Sequence, residues 1–244
     1  QGIYITMEAP NLSVPDEDYH REISRELARH MKKLLPEKGE LKALVVGLGN
    51  REITPDSLGP DVISNLHITR HLIQEYGTLG MGETCVHSVS GLVPGVMAQT
   101  GMETMEIIRG VVEETKPDVV IAIDALAARS VKRLNRTIQL TDTGIQPGSG
   151  VGNHRNGLSE TTLGVKVIGI GVPTVVDAAT IVQDAMSHLL DALEEQEKKE
   201  FLEEMITPSL HSMFMTPKDV DETIKRLSYT ISEGLNLTFA KAEA

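Results

Sequence analysis

Short apolar segments alternate with longer amphipathic ones along the middle of the chain, between Leu41 and Val172. The short segments are rich in Val, Ile and Leu and lack polar alternation, which is typical of strands buried on both faces of a parallel sheet. We predict strands at Lys42–Val46, Glu83–Ser90, Asp118–Ile123, Thr137–Leu140 and Lys166–Ile170. The pattern indicates βαβ units and an α/β fold of three layers, with helices on both faces of a mainly parallel central sheet.

Helix patterns and their end signals complete the prediction. Pro60 stands where a first helical residue often lies, Pro117 ends another helical stretch, and Thr216 precedes a proline as at a helix start. We predict helices at Asp16–Leu35, Pro60–Tyr76, Met102–Thr115, from Val176 past Leu190, and from Thr216 to about Ser232. The charged segment Leu193–Met205 is interpreted as a solvated helix or a linker. Residues 1–244 are expected to form one domain.

Composition narrows the classes of function. Hydrophobic residues make up 40% of the 244, enough for a full core. The formal net charge is -12, which disfavours direct nucleic-acid binding. The single cysteine, Cys85, cannot form an intrachain disulfide, so a reducing, cytoplasmic location is expected. No apolar run approaches the roughly 20 residues that span a bilayer, so no membrane association is expected.

Two aspartates follow predicted strands. Asp56 lies in the glycine loop after the first strand of the predicted sheet, and Asp124 comes directly after the apolar run Asp118–Ile123. Carboxyl ends of neighbouring parallel strands meet at one edge of a sheet, where two carboxylates can share a proton, activate water and protonate a leaving amine. Two alternatives stay open: Asp56 could simply cap a helix, and Asp124 could be satisfied by backbone amides.

The loop after the first strand is expected to shape the site. Gly47, Gly49 and Asn50 would offer backbone donors near a reacting carbonyl. The glycines resemble half of a dinucleotide-binding fingerprint, but Glu52 stands where the third glycine should be. A nucleotide-binding interpretation is therefore disfavoured.

Other candidates are weaker. Asp142 begins an Asp-Thr-Gly triplet known from all-β aspartic proteases, and His154 lies in a glycine-rich loop; both are possible site residues. His67 and His71 are four apart on a predicted helix, but the Glu of a His-Glu-x-x-His zinc motif is missing, so they are interpreted as ordinary histidines. Cys85 is interpreted as a buried, inert thiol.

Five longer motifs resemble one family. They are GLGNREITPDSLGP, IDALAARS, TDTGIQPGSGVGNHRNGLS, GIGVPTVVDAAT and the C-terminal HSMFMTPKDVDETIKRLSYTISEGLN. In this order they look like the spore germination protease family of spore-forming Firmicutes. The first four motifs cover about Leu44 to Thr180.

The resemblance implies further expectations. Members of this family degrade small acid-soluble spore proteins in the spore core during germination, are made as zymogens with an N-terminal propeptide, and form homotetramers. Their phosphorylase/hydrolase-like fold is similar to that of hydrogenase maturation proteases. Asp56 and Asp124 match the pair proposed as catalytic. The chain is therefore expected to be one peptidase domain without the propeptide region, and to need no metal or other cofactor.

Our sequence-based hypothesis is an endopeptidase that acts on small acid-soluble spore proteins through Asp56 and Asp124. Two alternatives remain: a metal-dependent protease of the maturation type, and a module that binds a spore protein without cutting it.

Overall fold

The computed structural model describes residues 2–80, 87–147, 157–190 and 207–240. Within them the strands are β1 (Tyr4–Glu8), β2 (Lys42–Gly47), β3 (Ser88–Leu92), β4 (Val119–Ala128), β5 (Thr137–Thr141), β6 (Lys166–Asp177) and β7 (Phe214–Met215). The helices are α1 (Glu17–Leu34), α2 (Leu58–Ser64), α3 (Arg70–Gly80), α4 (Met97–Thr100), α5 (Thr104–Thr115), α6 (Glu160–Leu163), α7 (Ala178–Leu190), α8 (Pro208–His211) and α9 (Val220–Phe239). Short 3-10 turns lie at Thr54–Asp56 and Val131–Arg133.

The strands form one mixed sheet whose centre is parallel. Its order is β1-β5-β6-β4-β2-β3, and β7 is added beside the end of β6. Strands β3, β2, β4 and β6 run parallel, whereas β1, β5 and β7 join through antiparallel pairs. The predicted α/β class with a mainly parallel sheet is confirmed.

Two apolar cores lie on opposite faces of this sheet. Side chains alternate along a strand, so Ala43 and Val45 of β2 face one core and Leu44 and Val46 face the other. The larger core includes buried side chains of α1, α2 and α9, and the smaller one those of α5 and α6. The fold therefore has the three predicted layers.

Helices α1 and α9 cover the larger core together. Asp16 caps α1 by accepting the Tyr19 N–H at 3.1 Å, and the predicted helix Asp16–Leu35 is confirmed. Gly234 of α9 lies directly against Leu27 of α1: a Cβ on Gly234 would be 2.7 Å from Leu27 Cδ2. The glycine allows this close contact. Helix α9 continues through Gly234 to Phe239, so the predicted end near Ser232 is wrong.

The predicted helix Pro60–Tyr76 is wrong as a single element. The chain leaves helix after Ser64 and resumes at Arg70, and Thr69 lies between α2 and α3 against the edge strand β3. Its amide donates to Val89 O at 3.0 Å, and its hydroxyl accepts the Val89 N–H at 2.9 Å and donates to His87 O at 2.7 Å. These bonds to the sheet edge interrupt the helix.

Two strands are much longer than predicted and two were missed. The predicted end of a strand at Ile123 is wrong, because β4 continues to Ala128 alongside β6, which itself reaches Asp177. The edge strand β1 and the two-residue β7 were not predicted. The terminal helix starts at Val220 instead of Thr216, and Phe214 and Met215 upstream of it pair with β6 as β7.

Some predictions fall outside the described residues: those on Cys85, His154 and Leu193–Met205, and the first part of the strand Glu83–Ser90, of which β3 begins at Ser88. Among the residues that are described, no helix is both long and apolar enough to cross a membrane.

Candidate active site

The loop after β2 folds into a compact turn that carries Asp56. The Ile53 N–H donates to Asn50 O at 3.1 Å, and the Asp56 N–H donates to Ile53 O at 2.8 Å. Pro55 stands in the middle of the 3-10 turn, where its fixed φ suits helical geometry. Asp56 thus lies just before α2, where the sequence predicted it.

The Asp56 carboxylate is held by the same loop. Its Oδ2 accepts the Asn50 N–H at 2.7 Å. Gly49 lies against it, because a Cβ on Gly49 would be 3.1 Å from Asp56 Oδ1 and would collide with the Asp56 carbonyl oxygen. One of the donors that we expected to face a substrate carbonyl, the Asn50 amide, therefore binds Asp56 in this structure.

Neighbouring groups fix the loop. Asn50 Oδ1 accepts the Glu52 N–H at 3.0 Å and the Gln99 side-chain amide at 3.1 Å. Behind the loop, Gly47 at the end of β2 and Gly59 in α2 meet so closely that a Cβ on Gly47 would collide with Gly59. Gly47 and Gly49 thus allow the backbone to pack closely against Gly59 and Asp56.

Asp124 lies within β4, at the point where β2 stops. The last pair between β2 and β4 is Gly47 with Ile123, so Asp124 is the next residue of β4 and pairs with Gly171 of β6. It is 5% exposed. A carboxylate this buried needs partners or a function. Asp124 lies beside the carboxyl end of β2. Open α/β sheets place their sites at the carboxyl ends of parallel strands.

Asp56 and Asp124 line the same cavity of about 470 Å³. The structure therefore brings the two predicted aspartates together. Its other walls are largely apolar: Ile53, Pro55, Ala125, Leu126, Ala127, Val175, Phe214 and Met215, with Gln146, Thr174 and Thr216 as further polar members. Such a cleft, apolar with a few convergent polar groups, is typical of a substrate site.

The wall formed by β6 and β7 was missed in the sequence. Thr174 donates its hydroxyl to Pro55 O at 2.7 Å, and Thr216 donates its hydroxyl to Thr174 O at 3.3 Å. Both residues lie inside segments that resemble the family, but their isolated hydroxyls carry no sequence signal. Thr174 reaches the cavity through the pairing of β6 with β4, and Thr216 reaches it through the pairing of β7 with β6.

Asp142 lies elsewhere. Its Oδ1 accepts the Ile3 N–H at 2.7 Å, which fastens the start of β1, and it is not among the residues that line the cavity. His67 lies in the loop before α3 and His71 lies within α3, so they do not share one helix as predicted. Both side chains are exposed. The described residues contain no group of three or more His, Cys, Asp or Glu side chains that could hold a metal ion.

A larger groove, of about 590 Å³, lies between α1 and α9. Its histidine, His20, is engaged at both ring nitrogens, with Thr230 Oγ1 at 2.7 Å and Val14 O at 2.8 Å. The groove shares no lining residue with the cavity of Asp56 and Asp124. We assign the candidate site to the smaller cavity, because both Asp56 and Asp124 line it.

This chain is similar to several known proteins. A family model described as Germination protease matches residues 1–193. A germination protease of Caldanaerobacter subterraneus subsp. tengcongensis is 46% identical over 253 residues, which covers 97% of this chain and 78% of that protein. A germination protease of Clostridium tetani is 45% identical over 258 residues, covering 99% of this chain and 79% of that protein. Among solved structures, a NiFe hydrogenase maturation protease from Thermococcus kodakarensis matches with a TM-score of 0.40 and 16% identity, covering 84% of this chain and 98% of that one.

Proposed function

The chain belongs to the germination protease family and is a peptidase, and from this premise we propose that Asp56 and Asp124 are its catalytic pair. The observation that carries the proposal is that both carboxylates line one cavity at the carboxyl edge of the sheet. Two carboxylates in a shared, partly dry site hold one proton between them, because like charges disfavour ionisation of both.

The proposed reaction uses that shared proton. The ionised carboxylate takes a proton from a water molecule as the water oxygen attacks the peptide carbonyl carbon, and the protonated carboxyl gives its proton to the carbonyl oxygen. When the tetrahedral intermediate collapses, the carboxyl that took its proton from the water gives that proton to the leaving nitrogen, and the C–N bond breaks. A hydroxyl proton of the intermediate passes to the other carboxylate, the one that protonated the carbonyl oxygen. The pair then again holds one shared proton.

The cavity walls support a polypeptide substrate. Ile53, Phe214 and Met215 line the cavity, and their side chains are exposed, so they offer apolar surface beside the carboxylates. Burying such surface against a substrate side chain is favourable.

The substrate and setting in this proposal come from the family. We take the substrate to be small acid-soluble spore proteins, cut in the spore core at germination. In the same proposal residues 1–244 are one peptidase domain, which is made as a zymogen and assembles as a homotetramer.

The test uses a purified small acid-soluble spore protein and gel analysis of its cleavage. Asp56→Asn and Asp124→Asn should each lower the cleavage rate by at least about 100-fold, because a general acid or base contributes on that order. Asp142→Asn is the matched control, since it makes the same chemical change outside the cavity, and it should cleave at the wild-type rate. Wild-type rates for either site variant would refute the catalytic pair, and a wild-type protein that binds the substrate but leaves it whole would refute the peptidase mechanism.

A further inference from the structure

A β-bulge in β6 places Thr174 in the lining of the cavity. In the ladder of β4 with β6, Leu126 pairs with Pro173 and Ala127 with Val175, so the ladder passes over Thr174. Bulges redirect a side chain and are frequent beside active sites. Here the extra residue lines the cavity.

The Thr174 side chain is buried, and its hydroxyl forms a hydrogen bond. The residue is 1% exposed, and its hydroxyl donates to Pro55 O at 2.7 Å. This distance is ideal for a hydroxyl donor, and such bonds are strengthened in a buried, low-dielectric setting. Pro55 directly precedes Asp56, so the bond acts on the backbone that carries the carboxylate.

This bond ties the Asp56 loop to the sheet. The hydrogen bonds to Asp56 described above, from Asn50 and to Ile53, come from within the loop, so they do not set its distance from β4. Thr174 belongs to β6, and β6 pairs directly with β4 at Asp124 and Gly171. The hydroxyl therefore connects the loop of one carboxylate to the strand partner of the other.

A second hydrogen bond extends the connection to the far wall. Thr216, which follows β7, donates its hydroxyl to Thr174 O at 3.3 Å. The apolar wall of Phe214 and Met215 is thereby linked through Thr174 to the Asp56 turn.

Resting on the proposed function, we propose that Thr174 is a positioning residue for peptide hydrolysis, whose hydroxyl sets the separation of the Asp56 and Asp124 carboxyl groups. Displacing a reacting group by about 1 Å can lower a rate by on the order of 100-fold. Loss of this one hydroxyl should therefore slow the chemical step without removing substrate contacts.

The test compares Thr174→Val, which keeps the shape and removes the hydroxyl, with Thr174→Ser, which keeps the hydroxyl. In the Val variant kcat should fall about 10- to 100-fold with little change in KM, and the Ser variant should retain nearly the wild-type kcat. The pH range of kcat should also narrow in the Val variant, because carboxyl groups that move apart couple less strongly. A merely structural hydroxyl would not change that range.

Thr238→Val is the matched control. Thr238 is 2% exposed, and its hydroxyl donates to Gly234 O at 2.7 Å within α9, away from the cavity. This variant should keep the wild-type kcat and pH range. If Thr174→Val does not fold, Thr174→Ala replaces it, because Ala and Ser at this position differ only by the hydroxyl.

A Val or Ala variant with the kcat of the Ser variant would overturn the positioning role. Asp56→Asn is measured in the same series to separate the two proposals. If Asp56→Asn is inactive while Thr174→Val is normal, only the positioning role fails; if Asp56→Asn is fully active, the proposed function itself has failed.

Discussion

Gly49 takes a backbone conformation that residues with a side chain rarely adopt. Its φ is +114°, and a Cβ at this position would collide with the Asp56 carbonyl oxygen. Such strain is costly for a residue other than glycine. The glycine therefore controls how closely the loop after β2 packs against the Asp56 turn.

Gly49→Ala should lower kcat by at least about 100-fold, because the new methyl group must push Asp56 away from its present position. The measurement is the cleavage rate of a small acid-soluble spore protein, together with thermal unfolding to show that the variant is folded. Gly110→Ala is the control: Gly110 lies in α5 and a Cβ there would have no neighbour within 4 Å. That variant should keep full activity and gain roughly 0.5–1 kcal/mol of stability. Full activity of Gly49→Ala would show that the contact with Asp56 is unimportant.

Single residues differ in how well the sequence reveals them. The two acidic residues could be predicted, but the residues that hold them in place could not. Asp56 and Asp124 stand out in the sequence because each comes after an apolar run, and the structure places both in one cavity. Their catalytic role stays a prediction. Thr174 could not be found in this way, because its position depends on a bulge that exists only when β6 pairs with β4.

The elements differ in how far local sequence determines them. Helices α1 and α5 have capped ends and a clear apolar face, so their predictions were confirmed. The last residues of β4, ending at Ala128, have little strand propensity of their own, and they are extended because β6 continues beside them. Tertiary pairing also explains β7, which is too short to be recognised in the sequence.

His87 connects three elements. Its Nδ1 accepts the N–H of Leu41, just before β2, at 3.1 Å, and His87 itself directly precedes β3. Its ring meets that of Phe239 at the end of α9 edge-on, with centroids 5.9 Å apart. Burial lowers the pKa of His87, and Lys32 lowers it further, whereas Glu40 raises it. The net direction is downward, so the folded protein favours the neutral ring.

Stability should therefore fall in mild acid. Because the pKa of His87 is lower in the folded than in the unfolded chain, its contribution is complete above pH 6.5 and is lost as the pH falls below that value. Between about pH 7.5 and 5.5 the wild type should lose more free energy of unfolding than His87→Asn, in which an amide oxygen can replace the acceptor without titrating. Denaturant unfolding at several pH values measures the difference, and equal losses in both proteins would contradict this account.

The whole molecule carries a net charge of -12, which has a general effect on stability. Repulsion among like charges destabilises the compact state, and salt screens it over about 10 Å at 0.1 M. Exposed ion pairs such as Arg21–Asp18 add little stability to offset this repulsion.

Added salt should consequently raise the midpoint of thermal unfolding at neutral pH. Scans from about 20 to 300 mM NaCl test this, and the range spans the change from weak to strong screening. The same series near pH 5.1, where the net charge approaches zero, is the internal control and should show a much smaller rise. A midpoint that falls with salt at neutral pH would mean that attractive pairs outweigh the repulsion.

The bonds from Thr69 to β3 also affect how copies of the chain can meet. An open strand edge can accept a strand from a second molecule, and two such edges on one sheet allow growth into fibres. Thr69 already occupies the outward-facing amide and carbonyl of Val89. Strand-to-strand joining at this end of the sheet is therefore hindered, and joining through the opposite edge alone, at β1, would stop at a closed pair.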